Sequence, residues 1–255
     1  MTKKIGLALG GGAVLGAAHI GVLRALKETG IKIDMVAGTS IGALVGALFA
    51  FGVPWHEIQD ITIKMKWLDI SKISLSKFGI LSNTKIESLM HGHLGDVDFI
   101  QANMPLSIIA SDIQNGKKAV IKTGRVADAV MASTCIPGVF SPIIKKDQVL
   151  VDGGILENGP INTIKDMGAD VIIGVDLNAN KSFSKPKNMI DVLVNTISLS
   201  MAHSVQLQSQ KADLLLQPDL SAYNLHNTKQ VPDLIAKGYQ DSIKQIQTFA
   251  QQLKS

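Results

Sequence analysis

Residue types on which many functions depend are scarce in this sequence of 255 residues. Cys135 is the only cysteine, which excludes a disulfide framework and a metal site built from several thiolates. Arg24 and Arg125 are the only arginines, and no basic run is interleaved with aromatic residues. Proteins that read nucleic acids favour the planar fork of arginine for bases and phosphates. The sequence therefore predicts no nucleic-acid partner.

Metal-binding patterns and charged residues are scarce as well. No H-E-x-x-H pattern occurs, and His91 and His93 have no second cluster in the sequence that could complete a site. We therefore expect no metal ion. Charged residues make up only 18% of the chain, which argues against a disordered protein or a coiled coil. At 46%, apolar residues suffice to fill a sizeable core.

No hydrophobic run is long enough to cross a bilayer. The longest, residues 41–53, fits a buried helix. Residues 1–4 lead directly into a strand pattern and not into a signal peptide. The net charge of +4 comes almost wholly from lysine and fits either a solvated surface or attraction to an anionic lipid surface. We expect a cytoplasmic protein and leave peripheral membrane contact open. The sequence does not indicate an oligomeric state.

What the sequence does contain is an alternation of strand and helix patterns. A strand at 5–9 ends in glycines and precedes a helix at 17–28. A second strand, a turn at 38–42 and a helix at 43–51 repeat this plan. Further strands are predicted at 105–110, 149–151, 171–175 and 212–216, with a hairpin turn at 115–116. Further helices are predicted at 55–66, 84–94, 126–132, 161–167, 189–210 and 231–253. The alternation predicts one α/β domain over residues 1–255, with a parallel sheet covered by helices.

Residues 64–78 mix lysines with large apolar side chains and show weak periodicity. One interpretation is a cap packed over the core, within the region 55–100. The other is a lid or a membrane-facing rim, in which apolar groups enter the lipid interface while lysines meet phosphates. Both interpretations stay open at this point.

The sequence is organised around the G-x-S-x-G pattern at 38–42, which lies between a strand and a helix. Such a turn holds its serine in a strained conformation, and small residues two positions before and after it let strand and helix come close. The hydroxyl then stands clear of the sheet, beside the free N–H groups of the helix N-terminus. Ser40 is therefore the candidate nucleophile, with Gly38 and Gly42 as supporting residues. The alternative is a chance match, since a pattern with three fixed positions is common.

The glycine run Gly10-Gly11-Gly12 admits two interpretations. Its successive N–H groups, at a helix N-terminus, could cradle an oxyanion. A dinucleotide fingerprint would instead need glycine at the position of Leu15, although Asp34 stands near the distance expected for a ribose-binding carboxylate. In both interpretations the loop lies at the carboxyl end of the first strand, within reach of Ser40.

Asp152 is the candidate base. It ends an apolar strand and is followed by Gly153 and Gly154, which allow a backbone or a substrate to approach closely. His203 and His226 come later, as in Ser-Asp-His hydrolases, but neither has glycines or a strand end nearby. A carboxylate is a weak base, with a reference pKa of about 3.9, so it must act by geometry and by a rise in proton affinity when substrate excludes water. The alternative is that Asp152 only caps a helix or a turn.

Four motifs occur together in a fixed order: LGGGAVLGAAHIGVL at 9–23, GTSIG at 38–42, STCIPGVFSP at 133–142 and VDGG at 151–154. In this ordered set the sequence resembles the patatin-like phospholipases, in the compact bacterial branch of that family. The resemblance covers most of the chain. It implies a three-layer α/β/α fold with a mostly parallel central sheet. It also implies a Ser-Asp dyad without histidine, and hydrolysis of acyl esters, often of phospholipids, without a metal or cofactor.

By motif position, the resemblance gives the nucleophile role to Ser40 and the base role to Asp152. The residues that it implies for the oxyanion loop are Gly10, Gly11, Gly12 and Ala13. The expected partner is a lipid or another acyl ester.

Two positions depart from the family pattern. The family loop has a third glycine where this chain has Ala13, and a basic residue where it has Leu15. An alanine still donates its N–H, so the oxyanion loop can survive if φ at Ala13 is negative. Three hypotheses therefore remain: a serine lipid acyl hydrolase of the esterase, phospholipase A or lysophospholipase type, a catalytically weakened patatin-like binding or regulatory protein, and a dinucleotide-binding enzyme.

Overall fold

The computed structural model describes residues 3–64, 73–76, 79–81, 84–180, 185–186, 189–225 and 227–253. The strands are β1 (Ile5–Leu9), β2 (Met35–Thr39), β3 (Ile73–Ser76), β4 (Gly79–Leu81), β5 (Leu106–Asp112), β6 (Lys117–Ile121), β7 (Ile143–Lys145), β8 (Gln148–Asp152), β9 (Val171–Val175) and β10 (Leu214–Leu216). The α-helices are α1 (Ala18–Thr29), α2 (Ile41–Ala50), α3 (Trp55–Lys64), α4 (Thr84–Leu94), α5 (Val126–Ser133), α6 (Gly154–Glu157), α7 (Ile161–Asp166), α8 (Met189–Gln208) and α9 (Val231–Gln252). A 3-10 turn, Ala13–Ala17, leads into α1.

Most of these strands form one mixed sheet in the order β10-β9-β1-β2-β5-β8-β7, with β6 also paired to β5. From β10 to β5 every neighbouring pair is parallel. The pairs that involve β6, β7 and β8 are antiparallel. Because parallel strands need crossover connections, the helices between them lie on the faces of the sheet. Strands β3 and β4 form a separate antiparallel pair.

The sheet separates two apolar cores. Successive side chains of a strand point to opposite faces, and β1 shows the consequence. Leu7 and Leu9 enter a large core with buried residues of α1, α2, α5 and α9, whereas Ala8 enters a smaller core with Ile161 and Ile164 of α7. Helices therefore cover both faces, and the predicted three-layer α/β/α architecture is confirmed.

Strand β5 brings the ends of β2 and β8 together. Its first half pairs with β2 and its second half with β8. Strand β6 pairs with residues 108–112 of β5, a range that overlaps both halves. Strand β6 therefore lies along one edge of β5, and β2 and β8 follow one another along the opposite edge. The chain leaves the sheet after Thr39, and Asp152 pairs with Ala110, one residue farther along β5. The residue after β2 and the last residue of β8 therefore meet.

The predicted strands and helices match the structure along most of the described chain. The hairpin at 115–116 is confirmed as the turn between β5 and β6. Four of these strands and α-helices were not predicted: β3 and β4, within the region interpreted as a cap or lid, β7, which pairs with β8, and α6, a single turn after Asp152. Each is 3 or 4 residues long, and so short a run has no readable periodicity.

The predicted cap or lid within 55–100 is described only in part. Helix α3 ends at Lys64, and residues 65–72, 77–78 and 82–83 lie outside the described residues. Helix α4 packs on the large core through Ile86 and Met90. Of the helices in the described ranges, none has the length and apolar character needed to cross a membrane.

Candidate active site

Ser40 lies at the sharp turn between β2 and α2, with φ 55° and ψ −125°. A residue with a side chain adopts this region only under strain. Glycines make the turn sterically feasible: a Cβ on Gly38 would lie 2.3 Å from the carbonyl oxygen of Gly42, and one on Gly42 would lie 2.1 Å from that of Leu9. Ser133 braces the turn, because its Oγ accepts the Ser40 N–H at 2.8 Å and donates to a carbonyl oxygen of β5 at 2.6 Å.

Asp152 lies beside Ser40 and uses its two oxygens differently. Ser40 Oγ donates to Asp152 Oδ2 at 2.6 Å, and the Gly154 N–H donates to Oδ1 at 2.8 Å. A Cβ on Gly153 would lie 2.2 Å from the carbonyl oxygen of Ile109, so the close approach to β5 requires a glycine. The carboxyl group is fully buried, which raises the pKa of Asp152 to about 6 against the opposing hydrogen bonds from Ser40 and Gly154. One oxygen thus caps a turn while the other faces the serine.

The glycine loop at residues 10–13 lies against the Ser40 turn, since a Cβ on Gly11 would lie 3.0 Å from Ser40 Cβ. Its first two N–H groups are bound within the protein. The Gly10 N–H donates to the last carbonyl oxygen of β9 at 3.2 Å. The Gly11 N–H donates to Oδ1 and to the main-chain oxygen of Asn158, at 3.1 and 3.3 Å. These two residues support the loop and offer no free donor.

Gly12 and Ala13 differ from the first two loop residues. Across the described part of the chain, no acceptor bonds the N–H of Gly12 or Ala13. The following N–H, of Val14, donates to the carbonyl oxygen of Leu225 at 3.3 Å. Of the four residues expected in the oxyanion loop, Gly12 and Ala13 are thus the two whose N–H groups are available to a ligand.

Three side chains that the sequence reasoning missed hold this loop. His19 donates from Nε2 to the Gly10 carbonyl oxygen at 2.7 Å, and burial lowers the pKa of His19 to about 4, so the ring is neutral near pH 7. Asn178 Nδ2 and Asn158 Nδ2 donate to the Gly11 carbonyl oxygen at 2.7 and 3.4 Å. His19 lies within the first sequence motif and Asn158 follows VDGG closely, but nothing in the sequence pointed to Asn178.

The position of Asp34 shows that the dinucleotide interpretation is wrong. Its carboxylate accepts the Ile5 N–H at 2.9 Å, at the start of β1. The glycine loop follows the other end of β1, and a strand rises about 3.3 Å per residue. A ribose beside a pyrophosphate in the loop could not reach this carboxylate.

The histidines considered as alternative bases do not change this arrangement. His203 is exposed on α8, and His226 lies outside the described residues. Within the described ranges, no three His, Cys, Asp or Glu side chains come together as a metal site.

The family model for patatin-like phospholipases matches residues 7–164, more than half of the chain. The matched range contains the glycine loop, Ser40 and Asp152. The chain belongs to the patatin-like phospholipase family. The family membership predicted from the four ordered motifs is confirmed.

Relatives within and beyond bacteria match about 70% of this chain. An uncharacterised NTE family protein of Mycobacterium tuberculosis is 36% identical over 186 residues, covering 71% of this chain and 51% of the relative. The neuropathy target esterase of Drosophila melanogaster is 33% identical over 69% of this chain and 13% of its own length. The lysophospholipase NTE1 of Pyricularia oryzae is 30% identical over 69% of this chain and 12% of its own length. The chain thus spans about half the length of the mycobacterial relative and far less of the other two.

Two solved structures share the fold of this patatin-like chain. VipD from Legionella pneumophila superposes with a TM-score of 0.60 at 15% identity, covering 99% of this chain and 67% of VipD. The type III effector ExoU superposes with a TM-score of 0.51 at 12% identity, covering all of this chain and 54% of ExoU. At these identities the likeness concerns the fold alone.

The two departures from the patatin-like loop pattern have different structural outcomes. Ala13 has φ 51°, so the condition of a negative φ at this position is not met. The loop keeps a left-handed conformation, which suits glycine better than alanine. Leu15, at the position of the family's basic residue, is 3% exposed and packs in the large core. The loop therefore brings no positive side chain to the site.

Proposed function

We propose that this chain is a serine lipid acyl hydrolase, of the esterase, phospholipase A or lysophospholipase type, that acts through a Ser40-Asp152 dyad. The observation that carries the proposal is the 2.6 Å hydrogen bond from Ser40 Oγ to the buried Asp152 carboxylate, at a strained strand-to-helix turn. A serine hydroxyl becomes an effective nucleophile when a neighbouring base takes its proton. Asp152 is in the position of that base.

In the proposed first step, Asp152 Oδ2 takes the proton while Ser40 Oγ attacks the ester carbonyl carbon. With a pKa of about 6, the carboxylate is ionised at neutral pH and is a stronger base than an exposed aspartate. The proton then passes to the departing alcohol, which leaves an acyl group on Ser40. Water attacks this acyl-enzyme as the same carboxylate takes its proton, and the fatty acid is released with Ser40 restored.

The negative charge that develops on the carbonyl oxygen needs hydrogen-bond donors. The N–H groups of Gly12 and Ala13 are available for this role, because they lie in the loop beside Ser40 and bond no acceptor in the described chain. Preorganised donors of this kind are worth about 3–4 kcal/mol each in a well-studied hydrolase. We propose Gly12 and Ala13 as the oxyanion donors, with Gly10 and Gly11 as their support.

Two observations support a lipid substrate. Two of the relatives are named as an esterase and a lysophospholipase. In addition, α8 packs against α6, the turn that follows Asp152, and exposes a series of large apolar side chains. They are Met189, Val192, Leu193, Leu199 and Leu207. We infer that a lipid surface meets the protein on the α8 side, because exposed apolar groups on one side of a helix can enter a lipid interface.

Labelling with a fluorophosphonate, followed by peptide mass spectrometry, tests the proposal directly. We expect a single adduct on Ser40 and loss of hydrolysis of p-nitrophenyl esters and lysophospholipids in Ser40→Ala. Ser88→Ala, which changes an exposed serine of α4, is the control and should keep both. If Ser40 forms no adduct and Ser40→Ala still hydrolyses these esters, the proposed function is wrong. Turnover that disappears in Ser40→Ala would also exclude the catalytically weakened homologue.

A further inference from the structure

The peptide bond between Gly11 and Gly12 is held from one side by two asparagines. Its carbonyl oxygen accepts hydrogen bonds from Asn178 Nδ2 at 2.7 Å and from Asn158 Nδ2 at 3.4 Å. Asn158 also accepts the Gly11 N–H through Oδ1 at 3.1 Å, so its amide bonds both polar groups of Gly11 and can do so in only one orientation. Gly11, Asn158 and Asn178 are all buried.

This arrangement fixes the direction of the Gly12 N–H. In a trans peptide the C=O and the N–H point in opposite directions, and no cis peptide occurs in the described chain. The carbonyl oxygen faces the asparagines, so the Gly12 N–H faces away from them. Without these bonds the peptide is free to turn over, because neither Gly11 nor Gly12 has a Cβ to resist the rotation.

Asn178 is itself held in place. Its main-chain N–H donates to Asp176 Oδ1 at 2.9 Å, and Gln217 Nε2 donates to Asp176 Oδ2 at 3.3 Å. Asp176 comes directly after β9, the strand beside β1. The asparagine is therefore anchored to the sheet and not to a free loop.

We propose that Asn178 and Asn158 are positioning residues of the oxyanion hole, which keep the Gly12 N–H turned toward the reacting carbonyl oxygen. The inference rests on the proposed function and adds to it the residues that set the orientation of one donor. Neither asparagine contacts the reacting atoms, and both act through the Gly11-Gly12 peptide.

The test compares Asn178→Ala and Asn178→Asp with the control Asn115→Ala. Asn115 also donates its side-chain amide to a carbonyl oxygen, that of Asp147 at 2.8 Å, but on the hairpin between β5 and β6. Fluorophosphonate titration counts active sites, so kcat is expressed per folded enzyme. In Asn178→Ala we expect kcat on a p-nitrophenyl ester to fall about 10- to 100-fold, with little change in KM. This fall is somewhat smaller than the fall in kcat when an oxyanion donor is removed altogether.

Asn178→Asp separates positioning from space filling. It keeps the shape of the side chain but sets an oxygen against the Gly11 carbonyl oxygen, so we expect it to lose at least as much kcat as Asn178→Ala. A residue that only filled space would show the reverse order. A matched thionoester provides a second measurement, since sulfur is a weak acceptor and gains little from oxyanion donors.

We expect the ratio of kcat/KM for the oxygen ester to that for the thionoester to fall in both Asn178 variants and to stay unchanged in Asn115→Ala. An equal loss on the two esters, or full kcat in both Asn178 variants, would overturn the positioning role while leaving the proposed function intact. Absence of Ser40-dependent turnover in the unmodified protein would overturn the proposed function and this inference together.

Discussion

The Ser40 turn and the glycine loop meet at one edge of the sheet, and each contains a strained residue. Among the described residues other than glycine, Ser40 and Ala13 are the two with a positive φ, at 55° and 51°. At Ser40 the strain presents a side chain that the proposed chemistry requires. At Ala13 only the main-chain N–H is proposed to act, so the side chain has no part in the reaction. A positive φ is therefore required by the proposed chemistry at Ser40 but not at Ala13.

The two regions also differ in what holds them. The Ser40 turn depends mainly on close main-chain contacts at Gly38 and Gly42, with one hydrogen bond from the distant Ser133 side chain. The loop depends on buried polar side chains, of which Asn158 and Asn178 lie 147 and 167 residues away from Gly11. An atom added at a close steric contact forces the main chain to move, whereas one of several hydrogen bonds can be removed while the others remain. Substitutions in the turn should therefore cost more than matched substitutions in the loop.

The largest effect is expected from Asp152→Asn, which removes the proposed base at the turn and leaves the loop untouched. We expect kcat/KM on a p-nitrophenyl ester to fall about 10⁴-fold, as when a triad carboxylate becomes an amide in another hydrolase. The same substitution should raise the free energy of unfolding. The pKa of Asp152 is about 6 in the folded chain and about 3.9 when unfolded, so the folded state loses stability as pH rises from about 4 to about 6.

Above pH 6 the buried carboxylate therefore destabilises the fold by up to about 3 kcal/mol, which Asp152→Asn should relieve. Thermal unfolding at pH 7.5 measures this gain. Asp112→Asn is the control and should instead lower the free energy of unfolding. Hydrogen bonds from Asn115 and from main-chain N–H groups lower the pKa of Asp112, so its ionised form stabilises the fold. A variant Asp152→Asn that is both inactive and less stable would contradict the assignment of a raised pKa.

The pH dependence of kcat/KM separates the turn from the loop. Asp152 must be ionised to accept the Ser40 proton, so kcat/KM should fall about tenfold per pH unit below a midpoint near the pKa of about 6 and level off above it. Asn178→Ala should lower the value of kcat/KM reached at high pH without moving the midpoint, because residues 10–13 carry no titratable side chain. If the pH profile of kcat/KM had its midpoint near pH 7 or above, and Asp152→Asn showed the same midpoint, a different residue would be the base.

Gly42→Ala tests the steric character of the turn. Its Cβ would lie 2.1 Å from the Leu9 carbonyl oxygen, so main chain must move. We expect a loss of about 3 kcal/mol or more in the free energy of unfolding and a fall of about 10 °C in Tm. Gly46→Ala, one turn later in α2, is the matched control. Its Cβ would lie 3.4 Å from Val36 Cγ2, an ordinary contact, so the better helix propensity of alanine should add up to about 1 kcal/mol. Equal losses in both variants would mean that the close approach at Gly42 does not set the turn.

The same difference between local and distant contacts explains how much the sequence could predict. The Ser40 turn, the glycine run and the Asp152 turn could be predicted because glycines and strand ends lie within a few residues of each candidate. The order of strands could be predicted only in outline, since nothing local reveals that β2 and β8 share one edge of β5. Ser133, His19 and Asn178 could not be predicted as supports, because isolated polar residues become informative only when folding buries them beside a main-chain partner.

Ala13→Gly should have the smallest effect and sharpens the contrast between the two strained residues. A left-handed conformation disfavours alanine by about 1–2 kcal/mol, partly offset by the greater entropy of an unfolded glycine. We therefore expect a net gain of about 0.5–1 kcal/mol and a rise of about 2 °C in Tm. Ala17→Gly is the control, since Ala17 has φ −58° and glycine there should lower stability by up to about 1 kcal/mol. If both glycine variants lose stability alike, Ala13 does not hold a positive φ in solution, and the strain at Ser40 stands alone.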